Sequence, residues 1–291
     1  MKVLCIHAHY DDFEFTASGL FTAWKEKLGK DLQARVIVCT DGRAGHHFRT
    51  PPETSALRFK EQEASARVGG YEFLPLRLPD GSQPREACLI VTRDFLAALW
   101  KAIRDFEPDY LFCPPVPQDT LAGIHIDHVA VAEAVRRVAY MINVPHAFVE
   151  EYPSADTEAA SCKVPVIVNV YDSYTRGANR YHIAIDVEAQ FEAICAMSYC
   201  HRSQIAEWLP WVGRHDTEAP STAADWRQTM RRRFDKKNRE LSIATSQALE
   251  VFTVTSWGTV PTVAQILKDF PSINDEHSRL DGLAEFLDRS R

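Results

Sequence analysis

The stretch KVLCIHAHYDDFEF, residues 2–15, places a short apolar run directly before a dense cluster of ionisable side chains. Residues 2–6 are short, bounded and apolar, which predicts a buried β-strand. Two histidines, two aspartates and a glutamate follow within eight positions. A buried strand that ends in a polar turn is typical of open α/β sheets, whose ligand sites form beyond the carboxyl ends of the strands.

The same alternation recurs through the first half of the chain. Further strands are predicted over residues 34–40, 71–78 and 109–114. Amphipathic helices are predicted between and around them, over 14–28, 54–69, 91–106 and 126–142. Strands separated by helices imply right-handed crossovers. We therefore expect an α/β fold with a Rossmann-like, mostly parallel sheet and helices on both faces.

The pattern loosens after about residue 150. Strands are predicted over 164–171 and 250–256, and helices over 187–200, 222–247 and 261–270. The final ~20 residues are polar and are expected to form a loosely held tail. The expected organisation is a catalytic domain over residues 1–204, with a less regular C-terminal extension over 205–291 that packs on the same domain.

Composition excludes several functional classes. The net charge is −7 and the pI is about 5.9, so there is no general basic footprint for nucleic acid. The apolar start, residues 3–6, is too short for a secretory signal, and no window is long enough to span a membrane. Seven scattered cysteines without a C-x-x-C motif favour free thiols. A cytoplasmic location is expected.

Four polar loops follow the four predicted strands of the first half. They contain residues 7–12, 40–49, 79–81 and 114–128. Because the carboxyl ends of parallel strands share one edge of the sheet, these loops are expected to converge there. The convergence predicts a site that is assembled from distant parts of the chain.

Two of these loops supply the ligand types of a metal site. Asp11 and Asp12 are adjacent carboxylates, which repel each other unless a cation lies nearby. His125 and His128 are three residues apart at a helix start, so both imidazoles face one side. One solution uses His9, Asp12 and His128 as ligands and leaves a fourth position for water, as in catalytic zinc sites. Zn²⁺ is the expected metal, with Fe²⁺ as the alternative.

The remaining groups of the two clusters suit catalysis. Asp11 is placed to accept a proton from a water on the metal, whose pKa falls from ~15.7 toward ~7. His125, beside the metal, is placed to stabilise an oxyanion and to protonate a leaving amine. Asp127 is expected to orient one of the histidines through a hydrogen bond.

The motifs resemble those of the PIG-L / LmbE-like family of zinc-dependent N-acetyl-sugar deacetylases. The family sequence A-H-P-D-D-E is similar to residues 8–14, AHYDDFE, with Tyr10 in place of proline. Four further family motifs match in order: T-x-G-x-x-G at 40–45, R-x-x-E at 58–61, P-D-G at 79–81 and H-P-D-H at 125–128, where Ile126 replaces proline. A sixth, A-x-x-x-H-x-S-Q, is similar to residues 196–204.

This resemblance implies a reaction and a role for each matched residue. His9, Asp12 and His128 correspond to metal ligands, Asp11 to the general base and His125 to the residue that assists the tetrahedral intermediate. Arg58 and Asp80 correspond to positions that contact substrate. The implied activity is removal of an acetyl group from the amide nitrogen of an N-acetylated sugar, glycoside or amine by metal-bound hydroxide. Homo-oligomerisation is a further family-level expectation.

Three other classes remain open on the residues alone. HAHYDD nearly matches the H-x-H-x-D-H of metallo-β-lactamases, and an amidase or other mononuclear or binuclear metallohydrolase acting on a non-sugar amide would use His7 as a ligand. His9, Asp11 and His128 also mimic the facial triad of non-haem iron oxygenases, which usually have all-β folds. A non-enzymatic binding module would carry no metal.

Three segments outside these motifs have open interpretations. Residues 226–240, WRQTMRRRFDKKNRE, are strongly basic, and we expect a solvated helix face, with a subunit contact or an anionic-substrate arm as alternatives. Trp208 and Trp211 suit a core, a sugar-stacking wall or an oligomer interface. His46 and His47 are expected in a mobile polar loop, the alternative being a substrate-binding rim.

Overall fold

The first apolar run forms the central strand of a parallel arrangement. The computed structural model describes residues 1–153, 162–213 and 218–291. Its strands are β1 Lys2–His7, β2 Gln33–Val38, β3 Glu72–Pro75, β4 Tyr110–Cys113, β5 Val166–Val170, β6 Ile183–Asp186 and β7 Leu249–Val254. They form one seven-stranded sheet in the order β3-β2-β1-β4-β5-β7-β6.

Helices connect these strands and cover the sheet. They are α1 Asp12–Thr16, α2 Ser18–Leu28, α3 Pro51–Gly69, α4 Arg93–Phe106, α5 Ile126–Met141, α6 Phe191–Tyr199, α7 Leu209–Val212, α8 Ala223–Glu240, α9 Val263–Asp269 and α10 Leu280–Arg289. Short 3-10 turns occupy Gly29–Asp31 and Glu188–Gln190, and a π-helical turn occupies Ser203–Trp208. Among the described helices, none combines the length and the apolar character needed to cross a membrane.

Five adjacent strands of the sheet, β3, β2, β1, β4 and β5, are parallel. Strand β7 runs antiparallel to both of its neighbours, β5 and β6. The predicted Rossmann-like α/β sheet is confirmed. The chain moves from β1 toward β2 and β3 on one side, and toward β4 and β5 on the other. The carboxyl ends of β1 and β4 therefore border the point where strand order reverses, which is the usual place for a ligand site in such sheets.

Alternate residues of β1 enter two different cores because side chains alternate across a strand. Val3 and Cys5 pack in the cluster that includes side chains of α1, α2, α6 and α8. Leu4 and Ile6 pack in the cluster formed with α4 and α5. Helices on both faces thus cover β1 completely, which explains why its five residues from Val3 to His7 are all buried.

Three predictions about individual elements were wrong. The helix predicted over 14–28 is two helices, because Ala17 leaves helical geometry with φ −142° and ψ 0°. The helix predicted over 222–247 ends at Glu240. The expected loose tail contains α10, which is fastened by fully buried Leu283 and Leu287.

The C-terminal part also contributes to the sheet itself. β7 lies between β5 and β6, so a strand from residues 249–254 completes a sheet begun at residue 2. β6, which the sequence pattern did not predict, is only four residues long. Glu250 of β7 reaches across to α2, where its carboxylate accepts hydrogen bonds from the backbone N–H groups of Gly19 and Leu20 at 2.8 Å each.

Candidate metal centre and active site

Three side-chain atoms form a nearly equilateral triangle at the carboxyl edge of the sheet. His9 Nδ1 and His128 Nε2 are 3.2 Å apart. Asp12 Oδ2 lies 3.4 Å from each of them. His9 and His128 are 119 positions apart in the chain, so the fold alone brings them together.

This triangle fits a tetrahedral metal ion. Ligand atoms bound at 2.0–2.1 Å with tetrahedral angles lie about 3.3–3.4 Å from one another. The three donor atoms match that spacing, and their chemistry, two imidazole nitrogens and one carboxylate oxygen, is a zinc or iron(II) donor set. Three protein ligands leave one position for water or substrate. His9, Asp12 and His128 are therefore the residues that would hold the metal.

Local backbone geometry places the first two donors. β1 ends at His7, and the turn that follows brings Asp12 back toward His9, whose backbone N–H donates to Asp12 Oδ2 at 2.9 Å. Asp11, at the tip of this turn, has φ 87° in the left-handed region. Such a conformation is strained for most residues but tolerated best by Asn and Asp.

The other donor comes from the first turn of α5. His125 caps this helix, and its Nδ1 accepts a hydrogen bond from the backbone N–H of Asp127 at 3.2 Å. Asp127 and His128 therefore project from one helix start toward His9. Both lie at the end of the loop that follows β4, as the sequence pattern predicts.

Each histidine of the triangle has a carboxylate behind it. His9 Nε2 lies 2.9 Å from Asp127 Oδ2, and His128 Nδ1 lies 3.1 Å from Asp172 Oδ2. Such partners fix the ring orientation and raise the basicity of a metal-binding imidazole. Asp127 is also held by the backbone N–H groups of Ala87 and Leu89.

Sequence reasoning missed Asp172. It lies directly beyond β5, two positions after Val170. The same argument that identified the loops after the first four strands, extended to the fifth strand, would have found it.

Asp11 lies beside the triangle but is not part of it. Its carboxylate is buried, with 7% of the residue exposed. Burial raises the pKa of Asp11 to about 6, an effect that Arg58 opposes and Asp12 reinforces. A carboxyl group with this pKa exchanges a proton near neutral pH, as a general base requires.

His125 also lies beside the triangle. Its ring centroid is 4.5 Å from that of His9 and 5.0 Å from that of His128. Burial, together with the neighbouring His9 and His128, lowers the pKa of His125 to about 4. A neutral ring whose Nδ1 accepts a hydrogen bond carries its proton on Nε2, so His125 offers one N–H donor.

His125 also joins His9 and His128 in a group of three imidazoles with nitrogen atoms within 4.8 Å of one another. That group is an alternative ligand set. We favour Asp12 as the third donor because its distances to both histidines are 3.4 Å, which matches tetrahedral binding.

His7 is turned toward Asp12 and Thr16. Its Nε2 lies 3.0 Å from Thr16 Oγ1, and its Nδ1 lies 3.6 Å from Asp12 Oδ2. His7 therefore contacts Asp12, and we interpret it as a support for that donor and not as a donor itself.

The two residues predicted to contact substrate have other surroundings. Arg58 is 2% exposed, and its guanidinium donates to Glu86, to the carbonyl groups of Tyr10 and Gly42, and to Asp11 at 3.5 Å. Asp80 is exposed and closes a turn by accepting from the backbone and hydroxyl of Ser82. No contact in the described part of the chain joins Asp80 to the triangle.

Arg58 and Glu86 hold the loop that follows β2. Glu86 accepts from Arg58 at 2.7 Å and from the backbone N–H groups of Ala44 and Gly45 at 2.5 and 2.8 Å. A Cβ at Gly42 would collide with the Tyr10 ring, and one at Gly45 with the Arg58 guanidinium. The glycines of this motif therefore permit the close approach on which the position of Arg58 depends.

Residues of the first, third and sixth motifs form a second group of contacts, next to those of Arg58 and Glu86. Glu14 is fully buried and accepts from Gln62, Ser65 and Tyr71, while His201 Nε2 lies 3.4 Å from its Oε1. Glu61 accepts from the backbone and hydroxyl of Ser203 in the same way on the neighbouring turn of α3. These contacts fasten α3 and the π-helical turn beneath α1.

A cleft of about 480 Å³ opens beside the triangle. Asp11, Asp12 and His128 form one wall, and Thr16, Tyr174 and Arg233 contribute to the other.

An aromatic group lies in the loop after β2 and in α7. The His47 ring stacks on Trp211 with centroids 4.7 Å apart and planes at 3°, and Trp208 stacks on Trp211 at 5.3 Å. Trp211 is 60% exposed, whereas Trp208 is partly buried and packs against the hydrophobic core.

Residues 4–139 match the PIG-L family, described as GlcNAc-PI de-N-acetylase. This segment is a PIG-L family domain, and it contains β1, β4, the start of α5 and all three donors of the triangle. Among curated proteins, none matches the chain.

Several solved structures share the fold. N,N'-diacetylchitobiose deacetylase from Pyrococcus horikoshii aligns with a TM-score of 0.64 at 20% identity, over 87% of this chain and 83% of that one. A conserved protein from Thermus thermophilus aligns with a TM-score of 0.62 at 18% identity, over 87% and 93%. The 4-carboxy-2-hydroxymuconate hydratase of Pseudomonas putida gives 0.61 at 14% identity, over 87% and 95%. A deacetylase and a hydratase thus share this architecture, and the reaction must be argued from the site.

Proposed function

We propose that this chain is a metal-dependent hydrolase that removes the acetyl group from the amide nitrogen of an N-acetylated sugar or glycoside. The observation that carries the proposal is the triangle of His9, Asp12 and His128 with Asp11 and His125 beside it. The family match over residues 4–139 supports an N-acetylated amino sugar as the substrate class. Zn²⁺ is the metal we propose, with Fe²⁺ as the second candidate.

The donor atoms fit a divalent ion, which when bound supplies a Lewis acid and lowers the pKa of water at the site. Asp11 accepts a proton from the water that attacks the acetyl carbon. Its pKa of about 6 leaves it ionised at neutral pH and still basic enough for this transfer.

His125 acts on the carbonyl oxygen. Its Nε2–H donates a hydrogen bond as negative charge develops there, which stabilises the tetrahedral transition state. Because the pKa of His125 is about 4, its ring is neutral at pH 7 and donates a hydrogen bond instead of a full proton. We therefore assign the return of the proton to the leaving nitrogen to Asp11. One proton of the water thus reaches the nitrogen through Asp11, and the other leaves when the acetic acid ionises and is taken up by the amine, so the products are acetate and the protonated amine.

Arg58 acts through Asp11 in this scheme. Its guanidinium lies 3.5 Å from Asp11 Oδ1 and also binds the carbonyl of Tyr10, the preceding residue. It fixes the turn that carries the base, and the structure gives it no exposed surface for direct contact with substrate.

The test is release of acetate from N-acetylglucosamine, N,N'-diacetylchitobiose and simple N-acetyl amines by zinc-loaded protein, with and without chelator. We expect activity on the sugars that chelator abolishes and zinc restores. Asp11→Asn preserves the left-handed backbone and should lower kcat by about 10²- to 10⁴-fold while the metal is retained. Asp105→Asn, at an exposed surface ion pair, is the matched control.

Two results would contradict the proposal. Full activity of metal-loaded Asp11→Asn removes the assigned base. If the protein deacetylates simple N-acetyl amines but not the sugars, it is a non-sugar amidase.

A further inference from the structure

The cleft beside the triangle continues into a second chamber that the proposed reaction does not use. The chamber has a volume of about 660 Å³ and lies between α1, α8 and the segment after β5. Five residues line both spaces, namely Phe15, Thr16, Tyr171, Ser173 and Arg233. A substrate that occupies the cleft can therefore extend into the chamber.

Positive charge dominates the walls of this chamber. Arg176, Arg233, Lys236 and Lys237 line it, and Glu240 is the acidic residue among its lining residues. The Glu240 carboxylate is already engaged, because it accepts from the Tyr171 hydroxyl at 2.7 Å and from the Gly177 backbone N–H at 3.2 Å. The protein, with its net charge of −7, thus concentrates cations at one place beside the candidate site.

Arg233 lies at the boundary between the cleft and the chamber and packs against Phe15. Its guanidinium lies over the Phe15 ring, 4.2 Å from the centroid. Within the described part of the chain, no hydrogen bond or ion pair joins it to another residue. By contrast, Lys237 on the same helix is stabilised by the nearby Glu250 carboxylate.

Arg233 is partly buried, and an arginine in such a position gains from pairing with an anion, because desolvation of an unpaired charge is costly. Burial lowers the pKa of Arg233, which records that cost, and Asp11 opposes the effect. The guanidinium remains charged at any physiological pH and presents a planar fork that suits carboxylate and phosphate oxygens. Because Arg233 lines both the cleft and the chamber, its guanidinium is accessible to a substrate that occupies both spaces.

We propose that Arg233 is a specificity-determining residue that binds an anionic oxygen group, phosphate or carboxylate, on the N-acylated substrate. The inference deepens the proposed function and rests on it for the identity of the reaction, but not for the binding of the anion. The apolar side chains of Met230 and Phe234 also line the chamber, so an uncharged part of the substrate can pack there while the anion binds at Arg233.

The test compares neutral and anionic substrates on one protein. N-acetylglucosamine, its 1-phosphate, its 6-phosphate and N-acetylmuramic acid are assayed with zinc-loaded wild type, Arg233→Met, Arg233→Lys and Arg227→Met. Arg227 lies on the same helix in an exposed ion pair with Glu192 and serves as the matched control. The two phosphates and the lactyl carboxylate distinguish the anion types.

We expect at least one anionic substrate to exceed N-acetylglucosamine in kcat/KM by about 10- to 100-fold. Arg233→Met should remove most of this preference through KM, leave kcat/KM for N-acetylglucosamine within about two-fold, and be partly rescued by Arg233→Lys. Equal loss on neutral and anionic substrates would overturn the proposal, since Arg233 would then act on the reaction centre. Absence of any preference for the anionic substrates would overturn it too.

A binding measurement separates this inference from the proposed reaction. Calorimetry with glucosamine and with glucosamine 1- and 6-phosphates needs no turnover. Tighter binding of a phosphate that depends on Arg233 would support the subsite even if no acetate is released. If the protein deacetylates N-acetylglucosamine but binds all three amines equally, the proposed function stands and the anion subsite is rejected.

Discussion

The Asp127 carboxylate lies 2.9 Å from His9 Nε2 and thereby directs His9 Nδ1 into the ligand triangle. The contact joins the start of α5 to the end of β1. Since Asp127 also binds two backbone N–H groups of the loop at residues 87–89, a single carboxylate couples ring orientation to loop position.

Replacing Asp127 should therefore weaken the metal site without removing a ligand. We expect Asp127→Ala to lower zinc affinity by about 10- to 100-fold, because the His9 ring loses its orienting acceptor. Competitive titration with a chromophoric chelator measures the change, and Asp105→Ala at the surface provides the baseline. Unaltered zinc affinity would show that His9 keeps its orientation without Asp127.

The identity of the third donor can be read from metal content. We expect Asp12→Ala to lose bound zinc, and His125→Ala to retain it while losing activity, because the 3.4 Å distances place Asp12 in the triangle. His7→Ala should also retain zinc. Elemental analysis of the purified variants gives the answer. Loss of zinc in His125→Ala with retention in Asp12→Ala would favour the three-histidine set, and loss in His7→Ala would favour the metallo-β-lactamase-like alternative.

The Arg58–Glu86 pair should be important for stability. Both groups are buried, so Glu86→Gln leaves the guanidinium without its counter-charge and should lower the free energy of unfolding by about 3–5 kcal/mol. Glu72→Gln breaks the exposed pair with Arg35 and should cost about 0–1 kcal/mol. Urea denaturation compares the two.

A double variant tests the cause. Arg58→Met with Glu86→Leu removes both charges and should be less destabilised than the sum of the single variants. Strict additivity would indicate that the two residues stabilise the loop independently.

His201 should make stability depend on pH. Burial lowers the pKa of His201, but the nearby Glu14 outweighs this effect and the pKa lies above its ordinary value. A raised pKa means that the contribution is fully present below about pH 6.5 and is lost as pH rises through the folded-state value. The stability difference between zinc-loaded wild type and His201→Gln should accordingly shrink between pH 6 and alkaline pH in denaturation experiments. A constant difference for His201→Gln across this pH range would refute the assignment.

The C-terminal helix should contribute to the core. Leu283 is fully buried, so Leu283→Ala is expected to cost about 2–5 kcal/mol of unfolding free energy. Leu267→Ala, at a residue 45% exposed on α9, should cost much less. Equal, small losses for both would mean that residues 280–289 are held as loosely as their polar sequence suggests.

Sequence patterns predicted the central elements well because those elements are buried on both faces. β1, β2, β4 and β5 are apolar runs that only a parallel sheet covered by helices accommodates. The sequence pattern was less informative for elements that bury only one face. α10 has a high share of charged residues and its two buried leucines are four apart, so its attachment was hidden in a polar sequence.

Some residues of the candidate site were likewise identified from the sequence, and others were not. His9, Asp11, Asp12, Asp127 and His128 were identified from spacing, since each lies within a few residues of another candidate. Asp172 and Glu86 were missed because each is alone in its segment, and their partners, His128 and Arg58, are 44 and 28 positions away. Arg58 was identified by motif, but its burial, on which the proposed positioning role rests, depends on packing against Tyr10 and the loop at residues 42–45.

The sequence by itself determined which donor types are present and that two local clusters stand at strand ends, because spacing of three residues is a property of one turn or one helix. Only the tertiary structure decided which atoms meet. His9 and His128 become neighbours because right-handed crossovers place β4 beside β1, and Arg233 reaches the cleft because α8 packs against α1. Contacts between segments more than a hundred residues apart depend on the arrangement of whole elements, which local residue patterns do not encode.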